Sequence, residues 1–407
     1  MDGQKRIQSA LISVFHKDGL EPIVRELDRS GVHLYSTGGT QEFIEGLGLK
    51  VTPVEDLTTY PSILGGRVKT LHPKVFGGIL GRRDLESDVA QLEEYEIPPL
   101  DLVIVDLYPF EATVAAGGNE NAIIEKIDIG GIALIRAAAK NHTDVVIVPA
   151  QKYYPEFLQI VKEQDCSTTL SQRRSLAASA FAVSSHYDSA IHNWFAGEDA
   201  ELRLSTGPRT VLRYGENPHQ KGSFHGDLEG MFRQLNGKEL SYNNLLDLDA
   251  AVRLIDDLAT VKGVPFAILK HNNACGAAVR STLKDAWDAA LAADPVSAFG
   301  GVLITTAPID KATAEKIDTI FFEIIAAPSF DQDALEILRK KKNRVILERK
   351  IDTSRSAPFE VRSALNGVLV QAKDVAVENA KQMKVSTKTD PSAQELSDLV
   401  FANILVK

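Results

Sequence analysis

Residues 11–40 read LISVFHKDGLEPIVRELDRSGVHLYSTGGT, and the succession of patterns in this stretch decides the fold class. Leu11 to Val14 is a short apolar run of the kind found in strands buried on both faces. Asp18 stands where an N-cap is expected. After it, Leu20, Ile23, Val24 and Leu27 recur at helical spacing, which predicts a helix with one apolar face turned to the sheet. His33 to Tyr35 is the next strand and runs into Ser36-Thr37-Gly38-Gly39-Thr40. Apolar runs alternating with helix-period segments are the pattern of a parallel sheet covered by helices, so the expected class is α/β.

Downstream, Leu102 to Val105 and Val145 to Val148 are further buried strands, and Ile132, Leu134, Ile135 and Ala139 mark a helix opening at Gly130-Gly131. Val183, Tyr187, Ile191 and Trp194 fall at helical intervals within Gln172 to Phe195, which predicts a long amphipathic helix closing a first domain. Ala196 to Thr210 is polar, contains Gly197, Gly207 and Pro208, and lacks periodicity, as an exposed connection does. The alternation then resumes. Phe266 to Leu269 is a strand, Thr282 caps a helix carrying Leu283, Ala286, Trp287 and Ala290, and Glu323 to Ala327 is another strand. The expected organisation is a domain over residues 1–196, a connection over 197–210 and a second region over 211–407. Ser392 to Val406 has a helical pattern with Leu396, Leu399, Val400 and Ile404 inward; it lacks a C-cap Gly or Pro, so the second region is expected to be an interrupted domain.

At 407 residues, with 44% hydrophobic and 25% charged, the chain can bury more than one core. A formal charge of −10 offers no basic face to nucleic acid or to an anionic membrane, so any anion must be held by local cations. Cys166 and Cys275 are too few for a thiolate zinc site or a disulfide framework. No stretch approaches the roughly 18 apolar residues of a membrane span. A cytoplasmic protein is expected, with no catalytic metal and with neither nucleic acid nor membrane as partner.

Ser36 to Thr40 lies between a strand and a helix, where glycines admit a ligand to the backbone and free N–H groups attract an anion. A plain strand-to-helix turn is the competing reading. The loop Gly65-Gly66-Arg67-Val68-Lys69-Thr70-Leu71-His72-Pro73 shifts the balance toward phosphate, because Arg67 can bind it bidentately with Lys69 and Thr70 beside it. Asp106-Leu107-Tyr108-Pro109-Phe110 follows a buried strand, placing a carboxylate and a phenol at the carboxyl edge of the sheet, where open α/β folds bind ligands. Asp128 and Lys140 bracket the Gly130-Gly131 helix; a surface salt bridge is the ordinary fate of such a lysine, and proton transfer beside Tyr108 and Asp128 is the functional one. In the second region, Lys270-His271-Asn272-Asn273-Ala274-Cys275-Gly276 begins where a strand ends, so that a cation and a base can share one site. Arg213-Tyr214-Gly215-Glu216-Asn217-Pro218-His219-Gln220 is a cationic, aromatic loop suited to a phosphorylated aromatic ligand.

In their order along the chain, STGGT, LGGRVKTLHP, LYPF, IDIGG with RAAAKNH, LRYGENPHQ, KHNNACG and DPVSAFGG closely resemble the bifunctional formyltransferase and inosine-monophosphate cyclohydrolase of purine biosynthesis, from Ser13 to Lys407. The resemblance implies a methylglyoxal-synthase-like first domain, a doubly wound parallel sheet, that closes formylated aminoimidazole carboxamide ribonucleotide (FAICAR) to inosine monophosphate (IMP). It implies contacts to that substrate from Phe15, His16 and Lys17, from Thr37, Gly38, Gly39 and Thr40, from Arg67, Val68, Lys69 and Thr70, and from Val105, Asp106, Ile129 and Gly130. Tyr108, Asp128, Lys140 and Lys69 take the catalytic roles. The second region resembles a cytidine-deaminase-like α/β formyltransferase without zinc. There His271 would take a proton from the amine of the unformylated ribonucleotide (AICAR) as it attacks the formyl group of 10-formyltetrahydrofolate, and Lys270 would stabilise the developing charge. Arg213, Tyr214, Gly300 and Glu323 match nucleotide-contacting positions. The implied partners are AICAR, FAICAR, IMP and reduced folate, in a homodimer. Phe15-His16 stand where the family commonly has Ser-Asp, Asp106 where Asn is frequent, and Ala274 where Pro is frequent. The resemblance also implies that the family continues past Lys407 with more of the folate site.

Three other readings compete. A methylglyoxal-synthase-type lyase shares the phosphate loop but leaves everything after Thr210 unexplained. A non-catalytic nucleotide-sensing module would use the same anion sites without turnover. A zinc deaminase would need stoichiometric metal.

Overall fold

The computed structural model describes residues 3–197, 201–350 and 359–407, and residues 198–200 of the expected connection lie outside them. The chain divides into two units, Met1–Ser205 and Thr206–Lys407.

The first unit is built on five parallel strands in the order Thr52–Pro53, His33–Ser36, Ser9–Val14, Leu102–Asp106, Val146–Val148. The α/β expectation is met here, and each apolar run is buried along almost its whole length because helices cover both faces. The helix Glu21–Arg29 lays Ile23, Val24 and Leu27 on the sheet, although its N-cap is Leu20 and no side chain caps it. Asp18 is therefore not the cap; its carbonyl instead receives a hydrogen bond from the Gln151 amide. The helix Gly130–Lys140 buries Leu134, Ile135, Ala137, Ala138 and Ala139. The closing helix is Leu170–Ala196, started by a Thr169–Gln172 capping box. Its Arg173 is fully buried, and donates to the carbonyls of His142, Thr168 and Gly3, so it ties the helix to the strand Ser167–Thr168 and to two segments distant in sequence.

The second unit has a mixed six-stranded sheet in the order Phe232–Asn236, Val345–Arg349, Ile324–Ala327, Val302–Thr305, Val264–Lys270, Asn273–Arg280. Only the three strands Val302–Thr305, Ile324–Ala327 and Val345–Arg349 run parallel; the others pair antiparallel. Side chains alternate between two cores, as the pleat requires. Phe266, Ile268, Leu303, Ile325 and Ile346 pack with the helix Leu283–Ala293 and its Trp287, whereas Ala267, Leu269, Ile304, Ile324 and Leu347 pack with the helix Tyr242–Leu258. A two-stranded ribbon, Arg209–Leu212 with Gly222–His225, starts this unit, so the last two residues of the expected connection already belong to a strand. The helix Ala393–Val406 turns Leu396, Val400 and Ile404 to one side at four-residue spacing, while Leu399 is half exposed rather than inward.

Candidate functional site

The first unit's sheet runs one way from its central strand Ser9–Val14 and then resumes on the other side with Leu102–Asp106, so the order reverses between these two. A crevice opens at such a switch point beyond the carboxyl ends of the strands. Phe15, His16 and Lys17 leave one strand end there, Asp106, Leu107 and Tyr108 leave the other, and Thr37, Gly38 and Gly39 follow the neighbouring strand.

Two loops distant in sequence complete this edge. A Cβ placed on Gly38 would lie 3.1 Å from the Lys69 Nζ, so the ammonium rests on the first turn of the helix Gly38–Gly46. A Cβ on Gly130 would lie 3.1 Å from the Thr70 Oγ1, so that hydroxyl rests on the first turn of the helix Gly130–Lys140. The orphan N–H groups of both helices, a cation and a hydroxyl thus converge, which is a setting for a phosphate. Gly66 is needed for this approach: its φ is 87°, and a Cβ there would meet the Lys69 Cε at 2.6 Å. Thr40 serves the scaffold instead, since its hydroxyl donates to the Val14 carbonyl at 2.9 Å and accepts from the Val14 amide at 3.1 Å. Thr37 is buried beside the Ser13 hydroxyl. Val105 is buried within its strand, so only its backbone can meet a ligand. Arg67 points to Glu125, with which it forms an exposed ion pair, and Val68 bridges to Ile63.

Beside this edge lies a group of titratable side chains. Asp128 accepts from the Gly131 amide at 2.6 Å, and burial raises its carboxyl above the usual range against hydrogen bonds from the Gly131 and Tyr108 amides that lower it. Burial also raises the Tyr108 phenol, helped by the Asp128 charge, so it remains a neutral donor. Lys17 Nζ donates to the Val14 and Phe15 carbonyls, and burial lowers its pKa despite Asp106 nearby. Asp106 accepts from the His16 ring and backbone. Ile129 is exposed next to this group. Lys140 is not part of it. Asp128 precedes the first turn of the helix Gly130–Lys140 and Lys140 ends it, which separates them by about 15 Å at 1.5 Å per residue. The expected proton transfer among Lys140, Tyr108 and Asp128 within one chain therefore has no geometric basis, because a helix running antiparallel to the strands carries its last residue to the opposite sheet edge.

Residues that the sequence did not mark as functional hold this site. The Tyr187 hydroxyl accepts from the Asp128 amide at 2.9 Å and donates to the Lys126 carbonyl at 2.6 Å, which fixes the Asp128 loop. The signal was available: a phenol on the buried face of a helix needs a partner for its hydroxyl. Lys126 Nζ lies 5.1 Å from the Phe15 ring centroid and 5.7 Å from that of Tyr108.

In the second unit the strand Val264–Lys270 ends in a hairpin. Lys270 pairs with Asn273, and the two residues between them, His271 (φ 52°) and Asn272 (φ 63°), are both left-handed, as a two-residue hairpin turn requires. Residues outside glycine hold such angles when their surroundings enforce them. Here the Asn272 amide donates to Asp247 at 2.7 Å and Asn273 donates to the His271 carbonyl at 2.7 Å. His271 is exposed at the tip. Lys270 Nζ donates to the Phe299 carbonyl at 2.8 Å and lies beside Gly300, whose φ is 78°. Glu323 immediately precedes the strand Ile324–Ala327, two positions along the same sheet edge and roughly 10 Å away at the usual inter-strand spacing. Its carboxylate accepts from Asn244 at 2.9 Å and pairs with Lys238. Arg213 stacks on Tyr214, and their loop is tied to the helix Tyr242–Leu258 by a hydrogen bond from Asn243 to the Glu216 carbonyl. Lys270, His271, Gly300 and Glu323 thus share one edge.

Among the described residues, no group of three or more His, Cys, Asp or Glu side chains could hold a metal ion, and no helix is long and apolar enough to cross a membrane.

Residues 138–407 match the family model described as AICARFT/IMPCHase bienzyme, and residues 19–133 match the MGS-like domain. The chain is 60% identical over 408 residues to a bifunctional purine biosynthesis protein PurH of Bacteroides thetaiotaomicron, covering 100% of this chain and 80% of that one. It is 43% identical over 410 residues to the protein of the same name from Chloroflexus aurantiacus, with the same coverage. For the one from Parvibaculum lavamentivorans the identity is 45% over 409 residues, covering 98% of this chain and 76% of that one.

Proposed function

The chain belongs to the AICARFT/IMPCHase bienzyme family of purine biosynthesis, with an MGS-like domain, and on that premise we propose that the first unit closes FAICAR to IMP and that the second carries formyl transfer to AICAR. The observation that supports the first assignment is the convergence of Lys69 and Thr70 on two helix N-termini beside Tyr108 and Asp128. The phosphate of FAICAR is held by Lys69, Thr70 and the amides of Gly38, Gly39 and Gly130, with Arg67 recruited from Glu125. Attack of the carboxamide nitrogen on the tethered formyl carbon is intramolecular, so holding the two groups in near-attack geometry supplies much of the acceleration. Tyr108, kept neutral by burial, donates to the formyl oxygen as charge develops there, and Asp128 orients the carboxamide N–H.

In the second unit, His271 takes the proton of the AICAR amine and the Lys270 ammonium stabilises the charge that develops on the formyl group. Arg213, Tyr214, Gly300 and Glu323 position the ribonucleotide. The reading includes 10-formyltetrahydrofolate as the one-carbon donor, a homodimer and a cytoplasmic location; membership of the family supports each. Ring closure is tested by the conversion of FAICAR to IMP by the purified chain. Lys69→Ala should raise KM strongly and Tyr108→Phe should lower kcat, each with an unchanged melting temperature. Parental kinetics in both variants would refute the assignment of this edge. Formyl transfer is tested separately, by its loss in His271→Ala.

A further inference from the structure

His16 stands among the site's titratable groups without a step of its own. Its ring Nδ1 lies 2.7 Å from the Asp106 Oδ2, and its backbone N–H donates to the same oxygen at 2.9 Å. Two bonds from one residue to one carboxylate oxygen fix both the ring's tilt and its tautomer: Nδ1 carries the hydrogen, and Nε2 presents a lone pair. Nε2 has no hydrogen-bond partner among the described residues, and the side chain is 45% exposed at the mouth of the crevice. The Phe15 ring stands edge-on to His16 at 4.8 Å and to Tyr108 at 5.5 Å, so imidazole and phenol flank one aromatic group. We propose that His16 Nε2 transfers protons during ring closure, with Asp106 as its positioning residue. This rests on the assignment of ring closure to the first unit.

Charged and titratable groups surround the imidazole. Asp106 holds the ring's orientation, as the carboxylate of a Ser-His-Asp triad does without itself taking the proton. Lys17, adjacent in the chain, and Lys126, above Phe15 and Tyr108, are the nearby cations. Asp128 lies beyond Tyr108, and the Tyr154 hydroxyl is buried near Asp106.

The chemistry balances with one imidazole. In the first half the carboxamide nitrogen attacks the formyl carbon, the N–C bond forms and the carbonyl π pair moves to oxygen. Nε2 takes one carboxamide proton and returns it to that oxygen, which becomes a hydroxyl. In the second half the nitrogen that carried the formyl group gives its hydrogen to Nε2 and its electron pair to a C=N bond. The C–O bond breaks, and the hydroxyl leaves as water with that same proton.

The test is the pH dependence of FAICAR closure by the full chain. His16→Gln keeps an amide within reach of Asp106 but cannot exchange a proton. It should lower kcat on the order of 10²-fold, leave KM unchanged, and remove the limb of the pH profile that His16 governs. Asp106→Asn should cost less, because the imidazole remains while its tautomer loses its anchor. Added imidazole should restore part of the rate of His16→Ala. A parental kcat and pH profile in His16→Gln, or an effect on KM alone, would overturn the proposal. Should the parent close FAICAR and Lys69→Ala impair it while His16→Gln does not, only the role of His16 falls. Should the parent fail to close FAICAR, the assignment of the unit falls too.

Discussion

Glu125→Gln should tighten phosphorylated substrates, although Glu125 belongs to no motif. The Arg67 guanidinium is paired with the Glu125 carboxylate, and the two side chains are 66% and 58% exposed. A phosphate that recruits Arg67 must first displace this carboxylate. An exposed pair of this kind is worth about 0.2–1 kcal/mol, so releasing it beforehand should lower the Kd about 1.4- to 5-fold at 1.36 kcal/mol per decade. Arg67→Ala acts in the opposite direction and further: losing a charge-assisted phosphate contact costs about 1.5–3 kcal/mol, or roughly 10- to 150-fold. The decisive measurement is the inhibition constant of IMP against FAICAR closure in the parent, in both single variants and in the double variant. With the guanidinium gone there is no pair to release, so Glu125→Gln should have no effect in the Arg67→Ala background. The gain should also shrink at high salt. An equal gain in both backgrounds would mean that Glu125 acts by long-range repulsion on the phosphate, and no gain in either would refute the competition.

Three further outcomes are expected. Gly131→Ala places a Cβ 2.5 Å from the Asp128 Oδ2; the helix gains about 1 kcal/mol of propensity, so the chain should stay folded while closure slows on the order of 10²-fold, as misplacement of an orienting group by about 1 Å can do. A parental rate would show that the carboxylate has no such role. Gly276→Ala would bring a Cβ to 1.9 Å from the Ala290 carbonyl oxygen, in the backbone of the helix packed on that strand, and should cost at least about 1–3 kcal/mol in urea denaturation; an unchanged midpoint would mean the helix can shift freely. His186 and Glu111 pair at 2.9 Å, and their hydrogen bond raises the imidazole pKa and lowers that of the carboxyl. The raised histidine stabilises below its usual pKa and loses this as pH rises through the folded value, while the lowered glutamate stabilises above its usual pKa and loses this on acidification. His186→Ala should therefore cost something under about 1 kcal/mol near pH 5.5 and nothing near pH 8, as urea melts at both can check.

The strands and helices of the first unit were legible because their signals are local. A helix closes hydrogen bonds four residues apart and a strand alternates every two, so Leu20, Ile23, Val24 and Leu27, or the run Leu102 to Val105, declare themselves within a short window. The order of the motifs along the chain identified the family for the same reason: each is a contiguous string. Two local features were not legible. The hairpin within KHNNACG is made by left-handed angles at His271 and Asn272, and neither residue is the glycine that usually announces one. Asp18, a favourable capping residue, caps nothing, because the helix begins at Glu21.

Which side chains meet was decided only when the chain closed on itself. Arg67 and Glu125 are 58 residues apart and His16 and Asp106 are 90 apart, and nothing in either neighbourhood specifies the other. The meeting of Lys69 with Gly38, and of Thr70 with Gly130, depends on one loop reaching two helix starts at once. Lys140 shows the converse. Twelve residues from Asp128 in sequence, it sits a full helix length away, because a helix antiparallel to its strands carries one end to the ligand edge and the other to the opposite edge. Local periodicity follows from bonds between near neighbours and can be read from the residues themselves, whereas the composition of a site follows from the order in which strands join a sheet, a property of the whole chain.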